Sequence, residues 1–349
     1  MAICTFCEFF PDLKGHLMNT LIDRRQALGL MAGAALVPSV LATEAGWKPS
    51  EMIRYVIGVA PGGSVDLYAR GIKTVLEKMQ LLNGQTVLAD NKPGAAGLLG
   101  LQQLQRNRGN AHHLGTFHTG SIAGQATGIL KADMREFVPV AMMVEETSLV
   151  AVRADSPLRT LQDLLARLRQ DPGAVSFAVA PTRGLNTHLA IAKPLKVAGI
   201  AVDKLTVVPF RSSGESMTAL LGGNVDVVSA TSPAVMPQVQ AGKVRVLASA
   251  APRRGTGLLA GIPTWREQGV AADYVSYNGV LLPAGVDAEQ IRFWEEALRK
   301  VAESSEWRAM VEKSGNQPMF KGYVDSHRYL EAELTETRAL VSALALGAA

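Results

Sequence analysis

From Ile53 onward, short apolar runs alternate with stretches whose apolar residues recur every three or four positions. Ile53 to Val59 reads as a buried strand, broken by Pro61, Gly62 and Gly63. Ser64 then opens a helix with Leu67, Ile72, Val75, Leu76 and Met79 on one side. The unit repeats with a strand over Thr86 to Ala89, the loop Asn91 to Gly97, and another helix. Further strands are predicted at Ser176–Val179, Leu205–Val208, Val225–Ser229 and Val244–Ala248, with helices between them such as Ser213–Leu221. Short apolar strands separated by helices predict an α/β protein with parallel sheets covered on both faces. The C-terminal stretch reads as helical. Asp287 can cap a helix with Gln290 three residues on, and Ile291, Trp294, Leu298 and Val301 line one face. Ser326 to Leu346 continues with Leu330, Leu334, Val341 and Leu344, while Trp294 and Trp307 read as core residues.

At 349 residues the chain is too long for one core and suits two domains of about 150 residues each. It has no repeat, low-complexity tract or glycine-serine linker, so ordered segments must join the domains. Val140–Val152 and Tyr274–Leu282 are the apolar candidates. With 48% apolar and 19% charged residues the chain is globular rather than disordered. Aromatics at 5% argue against a base- or sugar-stacking surface. A net charge of +4 without a Lys/Arg run excludes nucleic acid as a partner and is compatible with small anionic ligands. No apolar run reaches the roughly 18 residues that span a bilayer.

Asp23 to Ala45 reads as an export signal: Arg24 and Arg25, the apolar stretch Ala27–Val37, the break at Pro38, and small residues in Val40-Leu41-Ala42. The alternative is a buried N-terminal helix. Cleavage after Ala42 would start the mature protein near Thr43, in the periplasm. The arginine pair leaves the general secretory route and the twin-arginine route both open. Met18 makes a better start than Met1 for such a signal, which places residues 1–17 outside the working protein. Cys4 and Cys7 have redox or zinc spacing, but no second pair completes a site. Either processing event leaves a chain without cysteine.

No P-loop, dinucleotide fingerprint, nucleophile elbow or zinc-protease motif occurs. His112, His113 and His118 cluster without supporting carboxylates and read as a solvated loop rather than a metal site. The adjacent pairs Glu145-Glu146 and Glu295-Glu296 read as surface charge. No cofactor, metal or catalytic set is expected, and the chain is not read as an enzyme.

Four loops share a different chemistry, glycines and hydroxyls leading into a helix, where unpaired N–H groups and the helix dipole favour an anion. They are Pro61-Gly62-Gly63-Ser64 with Asp66, Thr119-Gly120-Ser121, Thr182-Arg183-Gly184, and Arg211-Ser212-Ser213-Gly214. Each alone reads as an ordinary capped turn, and Asp66 as a first-turn helix stabiliser. Four at the strand ends of two α/β domains predict an interdomain anion cleft. The candidate ligand-binding set is Pro61, Gly62, Gly63, Ser64, Asp66, Gly120, Ser121, Thr182, Arg183, Gly184, Arg211, Ser212 and Ser213.

The chain resembles the Bug family, the extracytoplasmic solute-binding proteins of tripartite tricarboxylate transporters. The likeness runs collinearly from about Ile53 through the Pro-Gly-Gly-x-x-Asp motif of Pro61 to Asp66, Asn91 to Gly97 and Asp133 to Val140. It continues through Leu220 to Asp226, Ala241 to Ala248, Ile262 to Gly269 and Leu282 to Gly285. Each motif is weak alone; their number, order and spacing are specific. The resemblance implies a two-domain, type II periplasmic-binding-protein fold of the Venus-flytrap kind, with the ligand cleft between domains. The expected divisions are residues 1–45 for the address, 46–148 for the first part of domain 1, 149–272 for domain 2, and 273–349 for the return to domain 1. It further implies a small organic carboxylate as ligand, held by N–H groups, hydroxyls and waters, and delivery by a monomer to a two-subunit membrane permease.

The chain departs from the family in the third loop, where Ala180 and Leu185 replace hydroxyl-bearing residues and Thr182 and Arg183 are gained, with His188 kept. Phe210-Arg211-Ser212 stands where a Tyr-x-Gly is common, Ala230 stands for an Asp, and Asn110-Ala111-His112 replaces an Asp-Gly-Tyr. The pocket is therefore expected to differ from that of an aspartate, glutamate or citrate binder, being more apolar or more cationic on domain 2. A ligand sensor presenting the same pocket to a membrane receptor, or an enzyme on the same fold, remain the competing readings.

Overall fold

A computed structural model describes residues 46–344. The signal-like segment, the two cysteines and the end of the predicted last helix lie outside them. The strands are β1 (Ile53–Ile57), β2 (Val87–Asn91), β3 (His113–His118), β4 (Val138–Arg153), β5 (Ser176–Val179), β6 (Thr206–Pro209), β7 (Val227–Thr231), β8 (Val244–Ser249), β9 (Val275–Leu282) and β10 (Gln317–Lys321). The helices are α1 (Ser64–Lys78), α2 (Leu98–Arg106), α3 (Thr119–Ala126), α4 (Leu161–Gln170), α5 (Asn186–Val197), α6 (Ser213–Leu221), α7 (Ser232–Gln240), α8 (Ala288–Glu303), α9 (Ser305–Lys313) and α10 (Tyr323–Ala343). Among the described residues no helix is long and apolar enough to cross a membrane.

Two sheets share the long strand β4. Its first half pairs with β9 and β10, in a sheet that continues through β3 and β1 to β2. Its second half pairs with β7 and β8, and the second sheet continues through β5 to β6. The expectation of parallel sheets is corrected in part. β1, β2 and β3 are parallel, as are β5, β6 and β7, but β4, β8, β9 and β10 pair antiparallel. The reason lies in the apolar runs read as connections. β4 leaves the first sheet and β9 enters it, so both run against their neighbours. The helical reading of the C-terminal region is also corrected by β10, whose residues are all half-buried and show no alternation.

Each sheet is covered on both faces. Trp294 and Trp307, both fully buried, lie with Tyr55, Tyr68 and Leu76 in one cluster of the first sheet. Phe117, Leu330 and Leu334 lie in the cluster on its other face. In the second sheet Phe177, Leu189 and Trp265 form one cluster, and Leu149, Leu220 and Val228 the other. Fully burying a Leu or Phe side chain is worth about 1.5–3 kcal/mol, so these clusters fix which face of each helix turns inward.

Helix starts fall into two groups. Thr160 with Asp163 and Asp287 with Gln290 form capping boxes on α4 and α8, and Ser212 and Ser304 cap α6 and α9. In contrast α1, α2, α3, α5, α7 and α10 begin without a side-chain cap. Their first N–H groups have no intrahelical partner.

Candidate functional site

The uncapped helices α1, α3, α5 and α7 follow strands β1, β3, β5 and β7. The carboxyl ends of β3 and β7 flank β9 and β4, where the order of strands passes from one sheet to the other. Open α/β sheets bind ligands at such switch points.

At the end of β1, Pro61 and Gly62 are exposed and Gly63 and Ser64 half-buried. Gly62 has φ +90° and donates its N–H to Asp66 Oδ2 at 3.1 Å. The buried Asp66 also accepts from Arg70 Nε at 3.0 Å and Asn91 Nδ2 at 2.9 Å. Burial pushes its carboxyl up, but these hydrogen bonds and the Arg70 charge outweigh it and hold the group below its ordinary range. Asp66 is thus occupied in shaping the turn that presents Gly63 and Ser64. A Cβ on Gly63 would meet nothing within 4 Å, so the space on the side-chain side of that residue is open.

Behind Ser64 stands Glu146, and here the reading as surface charge is corrected. Glu146 is 2% exposed, because on strand β4 neighbouring side chains point to opposite faces and only Glu145 turns outward. Asn278 Nδ2 on β9 donates to its Oε2 at 3.1 Å. Burial pushes its carboxyl up to about 7, with Ser64 and Asn278 pulling the other way. Its Oε1 and the Oδ1 of Asn278 have no hydrogen-bond partner.

Gly120 and Ser121 are buried at the start of α3. His118 on β3, read from sequence as solvated, is partly buried and bonds Ser121 Oγ through Nε2 at 3.0 Å. Burial lowers its pKa to about 4, so the ring is neutral. His113 is likewise on β3 and half-buried, because the strand runs into the sheet. A Cβ on Gly120 would lie 2.9 Å from Asn186 Oδ1, so the starts of α3 and α5 touch. Asn186 Nδ2 in turn donates to Ser276 Oγ on β9 at 3.4 Å.

In the third loop Thr182 is half-buried, Arg183 exposed, and Gly184 buried with φ +80°. Gly184 donates its N–H to His188 Nδ1 at 2.9 Å, and burial, aided by the Arg183 charge, lowers this 1%-exposed histidine to about 4. Thr187 Oγ1 closes the loop, donating to Ala180 O at 2.7 Å. The fourth loop follows the edge strand β6. Arg211 is exposed, its N–H donates to Glu215 Oε2 at 3.1 Å, and Ser212 Oγ accepts the Glu215 N–H at 3.2 Å. Ser213 is half-buried.

The structure therefore gathers the first three loops around β9 and β4 through Glu146, Asn278, His118 and Asn186. Among the described hydrogen bonds none joins the Arg211–Ser213 loop to them. A second network bridges the sheets. Ser232 Oγ at the start of α7 donates to Thr147 O at 3.1 Å, and Asn316 Nδ2 reaches Tyr68 Oη on α1 at 2.5 Å, with Ser232 and Asn316 Oδ1 3.0 Å apart. Asn278, Asn316 and Ser232 were not singled out as site residues from sequence, and Glu146 was read only as surface charge. The signal for Glu146 was its place inside an apolar run that already predicted a crossing strand.

Known proteins resemble this chain in sequence and in fold. The profile described as "Tripartite tricarboxylate transporter family receptor" matches residues 69–346. BugT of Bordetella pertussis is 28% identical over 265 residues, which is 73% of this chain and 78% of BugT. MatC from Rhodopseudomonas palustris, solved with bound malate, has TM-score 0.75 and 23% identity, covering 84% of this chain and 99% of MatC. A second R. palustris protein, solved with adipate, has TM-score 0.77 and 23% identity over 85% of this chain and 98% of its own. The fold is that of these binding proteins, and the chain belongs to the family of tripartite tricarboxylate transporter receptors, the Bug-type proteins that its motifs resemble.

Proposed function

We propose that this protein captures a small organic carboxylate in the periplasm and delivers it, as a monomer, to a two-subunit membrane permease. The observation that carries the reading is the set of uncapped helix starts α1, α3, α5 and α7 around the crossing strands. Backbone N–H groups left without side-chain partners at helix starts attract a carboxylate. Solved relatives hold malate and adipate, both dicarboxylates. The domain divisions at 46–148, 149–272 and 273–349 belong to this reading, with β4 and β9 as the connections. So does the ligand-binding set, in which Gly63 and Ser64 supply main-chain donors and Thr182 and Arg183 face them from the second domain. The protein is read as a receptor without a catalytic step, in keeping with the binding proteins it matches.

The test is a thermal-shift screen of mono-, di- and aromatic carboxylates, followed by calorimetry on those that stabilise. A rise in melting temperature with at least one carboxylate, saturating at one site, supports the proposal. Stabilisation by neutral sugars or by cations alone would refute it.

A further inference from the structure

Helix α10 carries Tyr329, Glu333 and Thr337 four residues apart, the spacing that stacks side chains along one face. Thr337 is buried, and Tyr329 and Glu333 are half-buried. Thr337 Oγ1 donates to Glu333 Oε1 at 2.9 Å. Burial raises the Glu333 pKa, while the Thr337 and Tyr329 hydroxyls pull the other way by favouring the ionised form. The Tyr329 hydroxyl also meets Thr119 Oγ1 at 2.9 Å, and Thr119 Oγ1 accepts the Tyr277 N–H at 2.8 Å. Thr119 opens α3, and Tyr277 lies in the crossing strand β9. The rings of Tyr277 and Tyr329 pack edge to face, 4.8 Å between centroids. From the second sheet's core, the buried Tyr274 hydroxyl lies within the field of the same carboxylate and has no hydrogen-bond partner.

A hydroxyl donates one proton, so the charge on Glu333 sets the direction of the whole run. With Glu333 ionised, Tyr329 donates to it and Thr119 donates to Tyr329. The Thr119 oxygen is then left to accept the Tyr277 N–H, and each bond polarises the next. A protonated Glu333 is a donor instead, and the run loses its terminal acceptor. The other groups around Glu333 leave this control with it. Lys193 on α5 favours its charge and Glu336 on α10 opposes it. Tyr274 and Tyr277 at the start of β9 are kept protonated by burial. α3, packed alongside, has no titratable side chain. Glu145 on β4, Arg253 and Asp273 act on Tyr277, and Lys321 on β10 lies 5.5 Å over its ring. Arg135, before β4, is paired with Asp133.

We propose that Tyr329 and Glu333 are positioning residues for ligand capture: their hydroxyl run ties the start of α3, one of the gathered loops, to the crossing strand β9, and Glu333 fixes the direction of that tie. Both act through Thr119 rather than on the ligand. The inference rests on the carboxylate-binding reading above and adds that α10 holds one of its loops from behind.

Two measurements test it, the first without ligand. Hydrogen exchange follows the Tyr277 amide and the α3 amides. Tyr329→Phe, which keeps the ring against Tyr277, should lower their protection at least about fivefold and leave α4 unchanged. The second is calorimetry with malate and with adipate on variants checked for folding by circular dichroism. At pH 8, Tyr329→Phe and Glu333→Leu should each bind about tenfold more weakly than wild type. Glu333→Gln, whose amide oxygen still accepts from Tyr329, should stay within about threefold. From about pH 8 to pH 5 the wild type should lose both affinity and α3 protection relative to Glu333→Gln, whose acceptor does not titrate. Comparing the two proteins at each pH cancels the titration of the ligand and of Glu146. A purely structural α10 predicts losses that follow melting temperature in all three variants, with wild type and Glu333→Gln parallel in pH; that result would overturn the inference. So would unchanged protection in Tyr329→Phe. If neither malate nor adipate binds the wild type, the exchange measurements alone decide the inference, and the carboxylate screen decides the parent reading separately.

Discussion

At the scale of single residues, the first loop separates folding from binding. Gly63 has φ −84°, which any residue adopts, and open space in front of it. Gly63→Val should therefore fold with an unchanged melting temperature. It should weaken carboxylate binding at least about tenfold by filling the anion's approach, as calorimetry would show. Gly62 is the converse. At φ +90° a side chain is strained, so Gly62→Ala should destabilise the protein by about 1 kcal/mol. Two buried titrating groups give opposite pH dependences. His188, held at about 4 against its ordinary 6.5, takes a proton more readily when unfolded, so its contribution is present above pH 6.5 and lost as pH falls toward 4. Glu146, held at about 7 against 4.5, contributes stability below pH 4.5 that is lost as pH rises through 7. Each spans about 3 kcal/mol at most. Glu146→Gln should thus raise the melting temperature of the ligand-free protein at pH 8 and not at pH 4.5. The loops were legible in the sequence because glycines, hydroxyls and helix starts follow one another there. Glu146 was not, because two adjacent glutamates look alike until strand geometry sends one inward.

At the scale of elements, β4 and β9 were visible as apolar runs, whereas their direction was not, since apolar content carries no sign of parallel or antiparallel pairing. β10 escaped notice because its half-buried residues, including Pro318, follow neither strand nor helix spacing. The junction of β4 and β9 is irregular, with register shifts between Pro139 and Ala141 and between Met142 and Val144. Gly279 sits at that irregularity, and a Cβ there would overlap the backbone carbonyl of Ala141, which cannot move aside as a flexible side chain would. Gly279→Ala should therefore destabilise the protein by more than about 3 kcal/mol, measured by chemical denaturation. An alanine at Gly46, where nothing lies within 4 Å, should be nearly neutral and serves as the control.

At the scale of the whole molecule, two sheets with separate cores are held together by few elements. Besides β4 and β9, helix α10 does this work: Leu330 and Leu334 pack in the cluster with Phe117, while Val341 and Leu344 pack in the cluster with Trp265. A helix of 21 residues is about 30 Å long, enough to reach from one core to the other. Such coupling predicts a single unfolding transition. The tryptophans report it by position, because Trp265 lies in the second sheet's core and Trp294 and Trp307 in the first sheet's. In the wild type, far-ultraviolet circular dichroism and tryptophan fluorescence should melt together. Val341 is 3% exposed, so Val341→Asp places an unpaired charge in the second core at the far end of α10. That change should lower the melting temperature of the Trp265 environment first, isolated as the fluorescence difference from a matching Trp265→Phe protein. The Trp294 and Trp307 signal should follow at a higher temperature. If both environments still melt together at a uniformly lower temperature, β4 and β9 alone suffice to couple the sheets, and α10 is no more than a cover for each.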